Sequence, residues 1–239
     1  KYGKKSALAG MVKLKSKYSN SKNGPENSAR PGNKIAEGLD RLAPWHPWKF
    51  REPGMEQEAK RKLVHMLSGM AFLAVLIFLG RMKLAGLLMV IFIGGLFIIN
   101  LLIMGWRFGI TNWFIRNFER KKIRFPGYAT AWYVAGILIA ATLLAHEPEI
   151  AAVICALAFG DGMSALFGER GSVRLPYNKS KTAEGVLAFF IATSITSWFF
   201  VGWIALPFAL LAALLESLPL GIDDNFTVPI FGALFFHLF

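Results

Sequence analysis

The stretch Ile150-Ala-Ala-Val-Ile-Cys-Ala-Leu-Ala-Phe-Gly-Asp161-Gly-Met-Ser-Ala-Leu-Phe167 is apolar almost throughout, yet it carries a carboxylate. Its length is close to the ~20 residues that a helix needs to cross the hydrocarbon core of a bilayer. A carboxylate at the middle of such a helix costs roughly 2.5–3.5 kcal/mol on insertion scales, so Asp161 is a functional candidate. The flanking Gly160 and Gly162 allow the backbone to leave helical geometry or a ligand to come close. A packing role, with Asp161 paired to an arginine, is the alternative.

Six further apolar runs accompany this stretch, and most of them are near the length of a membrane span. They are Leu63–Gly80, Leu84–Met104, Tyr128–Ala145, Ala183–Phe200, Gly202–Leu218 (interrupted by Pro207) and Val228–Phe239. We therefore predict an all-α polytopic membrane protein with about seven transmembrane helices.

The charge distribution predicts the orientation of these spans. The chain has 239 residues, of which 54% are hydrophobic and 18% charged, and its net charge is +12. With the N-terminus in the cytoplasm, 25 of the 27 Lys and Arg residues fall in cytoplasmic segments, and Arg81 and Lys83 fall on the far side. This agrees with the positive-inside rule, so the basic charge indicates membrane topology and no nucleic-acid partner. Every candidate motif then lies on the cytoplasmic face.

The chain divides by composition into two regions. Residues 1–56 are polar and basic, with a linker-like stretch at Ser19–Asn33, and we expect them to be partly interfacial on the bilayer or disordered. Residues 57–239 hold the apolar runs and form the transmembrane domain. Cys155 is the single cysteine and predicts a buried apolar side chain, with no disulfide. Because the chain begins at Lys1 and the last run is short, we expect the native protein to extend beyond it.

The first motif, Arg61-Lys62-Leu63-Val64-His65, leads into the first span. Anchoring by the positive-inside rule alone would explain the two cations. His65 lies one helical turn after Arg61, at the mouth of the span, and is a possible site residue.

The second motif begins with Gly160-Asp161-Gly162 and Ser164 and continues as a basic loop. It contains Gly168-Glu169-Arg170-Gly171 and then Arg174-Leu-Pro-Tyr-Asn178-Lys179-Ser-Lys181-Thr182-Ala-Glu184-Gly185. Glycines permit close approach of an anion, and the four cations can neutralise phosphate. Thr182 is suited to cap the next helix, whose positive N-terminal end favours an anionic ligand. Glu184 then falls in the first helical turn, where an acid is also stabilising for the helix itself.

The third motif, Asp223-Asp224-Asn225, offers oxygen ligands of the kind that Mg²⁺ prefers. The alternative is a helix N-cap before the last span, formed by Asp224 or Asn225.

Taken in order, these motifs resemble the CTP-dependent lipid-alcohol kinases, namely dolichol, phytol and farnesol kinases and the yeast-type diacylglycerol kinase. That group is related to the phosphatidate cytidylyltransferases. The resemblance covers residues 57–239 and is most specific between Gly160 and Gly185. It implies an integral membrane enzyme that transfers the γ-phosphate of CTP to the hydroxyl of a membrane lipid alcohol, with Mg²⁺ or another divalent cation.

The resemblance and the chemistry of the side chains together suggest roles for these residues. Asp161 or Glu184 would accept the hydroxyl proton, and Asp161 with the third motif would hold the metal. The metal candidates are Asp161, Asp223, Asp224 and Asn225. The nucleotide or phosphate candidates are Arg61, Lys62, Gly168, Arg170, Arg174, Lys179 and Lys181, with His65 and Asn178 as further possible site residues.

Three other functions fit the sequence less well. A phosphatidate cytidylyltransferase would make a CDP-lipid, but the long signature of that group is absent. A CDP-alcohol phosphotransferase motif would need an arginine where Leu166 stands. A small lipid transporter or scramblase is a non-enzymatic alternative, although the chain lacks an inverted repeat. The lipid and the oligomeric state stay open.

Overall fold

The fold is known from a computed structural model that describes residues 55–106, 109 and 127–238. These residues are helical, as predicted, apart from turns and one isolated antiparallel bridge between Arg174 and Thr182. The predictions for residues 1–54 and for the basic segment 110–126 fall outside this part of the chain. The helices are α1 (Met55–Leu79), α2 (Arg81–Ile103), α3 (Tyr128–Leu143), α4 (Glu147–Cys155), α5 (Asp161–Arg170), α6 (Ala183–Val201), α7 (Ala205–Ser217) and α8 (Asp224–Leu238).

A single continuous rod forms the centre of the protein. Helix α4, a π-helical turn at Ala156–Gly160 and helix α5 follow one another without a break. Every residue from Ile150 to Ala158 is at most 1% exposed. Helices α1, α3, α6 and α8 pack around these three segments, so protein encloses most of the stretch that carries Asp161, although Phe167 near its end is 53% exposed.

The outer helices present apolar side chains to their surroundings. In α2 only Leu84 and Leu88 are buried, although the helix is almost entirely apolar. Such a surface is stable in lipid and not in water. By length and composition, four helical segments can cross a membrane, and they are Ala59–Leu79, Arg81–Ile103, Glu147–Arg170 and Ala183–Ser217.

All seven predicted apolar runs form helices, but the number of crossings stays a prediction. Helix α3 has 16 residues and is short for a span. The Ala183–Ser217 segment folds back on itself, because Gly202 adopts a positive φ of 57° between α6 and α7. As a result the end of α7 returns to the start of α6, where Asn178 Nδ2 donates to the Ser217 carbonyl over 2.9 Å.

The two ends of the helical bundle differ in chemistry. At one end Gly80 turns the chain with φ of 80°, and the Arg81 backbone N–H donates to Glu147 Oε1 over 2.8 Å. The Arg81 guanidinium also donates to the Leu144 carbonyl over 2.6 Å. The three predicted motifs gather at the opposite end of α1. This agrees with the expectation that they share one face, while the cytoplasmic assignment of that face stays a prediction.

Candidate functional site

Asp161 is the first residue of α5 and forms a buried ion pair with Lys62 of α1. Lys62 Nζ lies 2.5 Å from Asp161 Oδ2, and their side chains are 8% and 12% exposed. The two residues are 99 positions apart in the chain. The first and second sequence motifs therefore meet here, and the cation that faces Asp161 is a lysine, whereas the packing alternative expected an arginine.

The π-helical turn before Asp161 creates a polar contact behind the ion pair. His65 Nε2 lies 3.1 Å from the Leu157 carbonyl and 3.6 Å from Asp161 Oδ2. The His65 ring also packs on Tyr133, with ring centroids 4.0 Å apart. A π-turn displaces carbonyls from the helical ladder and is frequent at functional sites. It confirms that the backbone leaves regular α-helical geometry near Asp161.

Glycine is required at the end of this turn. A Cβ atom at Gly160 would collide with Thr193 Oγ1 and would lie 3.0 Å from the Phe189 ring. Helix α6 therefore packs directly on the backbone of the π-turn. This contact helps to position Asp161, the next residue, relative to α6.

Two cavities adjoin the Lys62–Asp161 pair. The larger cavity, of about 460 Å³, is lined by the pair together with Ser164, Ala165, Gly168, Glu169, Arg174, Ser180, Lys181, Thr182, Gly185, Glu216 and Asp224. The smaller cavity, of about 290 Å³, is lined by the pair together with Arg61, Tyr128, Ala129, Gly221, Ile222, Asp223, Asp224 and Asn225. Lys62, Asp161 and Asp224 line both, so all three motifs converge on one place.

Lys181 brings the basic loop to the acids of the third motif. Its ammonium group donates to Glu216 Oε1 and to Asp224 Oδ2, the latter over 3.1 Å. Burial alone would lower the pKa of Lys181, but the Glu216 and Asp224 carboxylates outweigh burial and raise that pKa above its ordinary value. Burial raises the pKa of Asp224, and Lys181 offsets this only in part. Lys181 is therefore expected to be protonated near neutral pH, at the edge of the larger cavity.

The loop between α5 and α6 is held in place by its own side chains. Thr182 caps α6 as predicted, since its Oγ1 accepts from the Gly185 N–H over 3.2 Å. A Cβ at Gly185 would lie 3.1 Å from the Gly168 Cα, so these two glycines also let α5 and α6 cross closely. The loop is therefore anchored to α5 and α6 where it borders the larger cavity.

Several named plant kinases are similar in sequence to this chain. A probable phytol kinase 3 of Glycine max, named chloroplastic, is 31% identical over 199 residues, which are 73% of this chain and 61% of that protein. The chloroplastic farnesol kinase of Arabidopsis thaliana is 32% identical over 203 residues, which are 75% of this chain and 64% of that protein. A probable phytol kinase 2 of Oryza sativa subsp. japonica is 31% identical over 199 residues.

The chain is homologous to the phytol and farnesol kinases. This confirms the family resemblance found from the motifs. The chain spans between about 61% and 64% of the length of these relatives. No protein-family model matches the chain, and no solved structure matches it.

Most of the predicted site residues line one of the two cavities. Five of them do not, namely His65, Arg170, Asn178, Lys179 and Glu184. His65 lies behind Asp161, as described above. Asn178 holds the loop to α7, and its Oδ1 accepts from the Ser180 N–H and hydroxyl.

Glu184 of this chain anchors the loop that follows α5. Its Oε1 accepts from the Ser172 N–H over 2.8 Å, the Ser172 hydroxyl over 3.1 Å and the Val173 N–H over 3.1 Å. A carboxylate with these partners anchors the start of the loop. Its predicted catalytic role is untested and stays a prediction.

The structure differs from the expected N-cap of α8. Asp223, and neither Asp224 nor Asn225, caps α8, because Asp223 Oδ1 accepts from the Asn225 N–H over 3.1 Å. The helix begins one residue later, at Asp224. The side chain of Asp224 is therefore available to meet Lys181 at the junction of the two cavities.

Glu216 is a site residue that the sequence analysis missed. It lies in α7, its side chain is 2% exposed, and it lines the larger cavity. Ser164 donates to Glu216 Oε1 over 3.3 Å. The signal was present, since Glu216 is an acid inside an apolar run, as Asp161 is.

The acids of the site suit a metal ion that is also bound by substrate phosphates, and do not form a complete ligand set among the described residues. Within the described residues, no group of three or more His, Cys, Asp or Glu side chains could hold an ion by itself. Mg²⁺ in phosphoryl-transfer sites is typically held by one or two carboxylates together with substrate phosphates and water. Asp161 and Asp224 line the same cavities, and Glu216 Oε2 is buried without a hydrogen-bond partner among the described residues. This donor set suits a phosphate-bridged ion.

Proposed function

We propose that this protein is a CTP-dependent kinase that transfers the γ-phosphoryl group to the hydroxyl of a membrane lipid alcohol. The observation that carries the proposal is the convergence of Lys62, Asp161 and Asp224 where two cavities meet. Phosphoryl transfer is mostly positioning and charge neutralisation, and such a junction supplies both for a donor on one side and an acceptor on the other.

The larger cavity is suited to the polyphosphate of the nucleotide. Lys181 and Arg174 line it, and the capped N-terminus of α6 borders it at Thr182. Lysine acts on phosphate as a point charge, arginine binds it with two parallel hydrogen bonds, and a helix N-terminus adds backbone N–H donors. Gly168 and Gly185 lie in the wall of this cavity, where they let α5 and α6 cross closely.

The smaller cavity is suited to the hydroxyl end of the acceptor. Tyr128 and Ile222 border it, and Ile222 is 54% exposed, so an apolar chain can continue outward from this point. Arg61 and Lys62 add positive charge where the transferred group arrives. A lipid alcohol can thus present its hydroxyl without leaving the bilayer.

In the proposed reaction the acceptor oxygen attacks the γ-phosphorus. The bond from that phosphorus to the β–γ bridging oxygen breaks, and CDP leaves with the electron pair. Asp161 accepts the proton of the hydroxyl, while Lys62 and Lys181 neutralise developing negative charge. A divalent cation held by Asp161 and Asp224 would neutralise charge on the phosphate oxygens.

The acceptor class follows from the relatives. Their names specify phytol and farnesol, which are short-chain isoprenoid alcohols, so we propose an alcohol of that kind before long-chain polyprenols and dolichols or diacylglycerol. The choice of CTP rests on the motif resemblance, and the site is proposed to face the cytoplasmic side on the charge distribution.

A substrate panel tests the proposal. Purified protein in lipid nanodiscs would be incubated with Mg²⁺, one of CTP or ATP, and one of phytol, farnesol, a polyprenol or diacylglycerol, with products identified by mass. The expected products are CDP and an isoprenoid monophosphate. Pyrophosphate with a CDP-lipid would identify a cytidylyltransferase. If no product forms and a calorimetric titration with CTP and Mg²⁺ shows no binding, a transporter or scramblase is favoured.

A further inference from the structure

Glu216 contacts Lys181 from the base of the larger cavity. Its side chain is 2% exposed, and its Oε1 accepts from Lys181 Nζ and from the Ser164 hydroxyl. Its Oε2 is buried with no hydrogen-bond partner among the described residues. Water cannot solvate a carboxylate at this depth. The ionised form of Glu216 is therefore stabilised mainly by the ammonium of Lys181.

Asp224 contacts the same ammonium but is more exposed to solvent than Glu216. Its side chain is 34% exposed, and its Oδ2 lies 3.1 Å from Lys181 Nζ. A partly exposed carboxylate can be solvated when its partner turns away, whereas removal of the partner of a fully buried one is strongly destabilising. The two acids that hold Lys181 are therefore not equivalent.

We propose that Glu216 is a positioning residue that fixes the ammonium of Lys181 at the larger cavity, whereas Asp224 is its exchangeable partner. When a metal–nucleotide binds, Asp224 releases Lys181 and turns to the metal, and Lys181 stays on Glu216 and contacts phosphate. The inference rests on the proposed function, in which the larger cavity binds the nucleotide.

The sign of one effect separates positioning from simple electrostatics. Removal of a carboxylate from the wall of an anion site strengthens anion binding if only charge matters. If Glu216 positions Lys181, its removal leaves Asp224 as the acid that holds the ammonium and draws it toward the junction with the smaller cavity, away from the phosphate, and anion binding weakens. Glu169 also lines the larger cavity and provides a matched control, since the hydrogen bonds and ion pairs of Lys181 among the described residues go to Glu216 and Asp224.

The test measures CTP binding by titration calorimetry on the full chain in nanodiscs, first in EDTA and then with Mg²⁺. In EDTA we expect Glu216→Gln and Lys181→Met each to weaken CTP binding about tenfold, the effect of losing one hydrogen bond to a charged group. The double variant should bind no more weakly than Lys181→Met, because Glu216 acts through Lys181. Glu169→Gln should bind at least as tightly as wild type.

Asp224→Asn provides the second arm of the experiment. In EDTA it should bind CTP at least as tightly as wild type, because Lys181 stays on Glu216. With Mg²⁺ it should lose most of the gain in affinity that the ion gives the wild type. A thermal unfolding midpoint for each variant checks folding, and the double variant, in which both buried charges are removed together, serves if Glu216→Gln alone does not fold.

The results distinguish this inference from the function on which it rests. If wild type binds neither CTP nor ATP, the proposed function fails. If wild type binds CTP and Glu216→Gln binds it more tightly, or if the losses in the double variant add, Glu216 does not position Lys181 and the inference is overturned.

Discussion

Lys62 and Asp161 form a buried ion pair across 99 residues of chain, with 2.5 Å between Nζ and Oδ2. The pair joins the start of α1 to the start of α5 at the junction of the two cavities. Burying two charges is costly, and a hydrophobic pair of similar size often packs equally well. The pair is therefore better explained by the chemistry of the site than by stability alone.

Replacement of Asp161 should affect both activity and stability. We expect Asp161→Asn to reduce CTP-dependent phosphorylation of a lipid alcohol by about 10²-fold or more, the range for loss of a general base. It also leaves the Lys62 ammonium buried without its partner, which should cost about 3–5 kcal/mol of stability. Product formation by mass and a thermal unfolding curve measure the two effects.

The double variant Lys62→Met/Asp161→Asn is the control for this prediction. It removes both charges, so most of the lost stability should return while activity stays low. If Asp161→Asn alone keeps activity within a few-fold of wild type, Asp161 does not take the proton.

Much of the site could be predicted from the sequence, because the free-energy cost of placing a charged side chain in an apolar helix can be judged from the neighbouring residues alone. An acid in an apolar stretch identified Asp161, and the positive-inside rule placed the motifs on one face. The cap at Thr182 followed from side-chain chemistry at a helix start and is confirmed by the Gly185 N–H contact. Each of these inferences needs only a few neighbouring residues.

The rest depends on contacts between distant segments. The role of Glu216 becomes visible only when α7 folds back beside Lys181, which the turn at Gly202 produces. Glu184 meets Ser172, 12 residues earlier, and no spacing rule specifies that loop. The number of membrane crossings is open for a similar reason, since the Ala183–Ser217 segment is long and apolar enough to span and yet is folded as a hairpin.

Substitutions at Glu184 separate loop anchoring from proton transfer. A glutamine keeps one oxygen that can accept from Ser172 and Val173, so we expect Glu184→Gln to keep activity within about tenfold of wild type. Glu184→Ala removes every acceptor and should raise the KM for nucleotide more than it lowers kcat. Steady-state kinetics with varied CTP measure both constants.

Ser172→Ala is the matched variant, because it removes one of the donors to Glu184 and leaves the carboxylate in place. Its effect should have the same pattern as Glu184→Ala and be smaller. A loss in Glu184→Gln as large as that in Asp161→Asn would instead identify Glu184 as the base.

The contact between Arg81 and Glu147 should matter for stability and not for catalysis. Glu147→Ala removes the acceptor of the Arg81 N–H at the end of the bundle opposite the site. We expect a loss of about 0.5–1.5 kcal/mol in the free energy of unfolding, with KM and kcat unchanged. Denaturant unfolding in micelles with parallel kinetics tests this, and a fall in kcat without a loss of stability would contradict it.

Two alanines test the assignment of the cavities to donor and acceptor. Ala165 lines only the larger cavity and Ala129 only the smaller one, so replacement of each by leucine adds the same volume to a different site. We expect Ala165→Leu to raise the KM for CTP about tenfold or more and to leave the KM for the lipid alcohol nearly unchanged, because the added side chain occupies space beside Lys181 and Gly168. Ala129→Leu should do the reverse, because it narrows the entrance between Tyr128 and the Gly221–Asn225 turn. Kinetics with each substrate varied in turn distinguish the two, and an increase in the same constant in both variants would show that one substrate occupies both cavities.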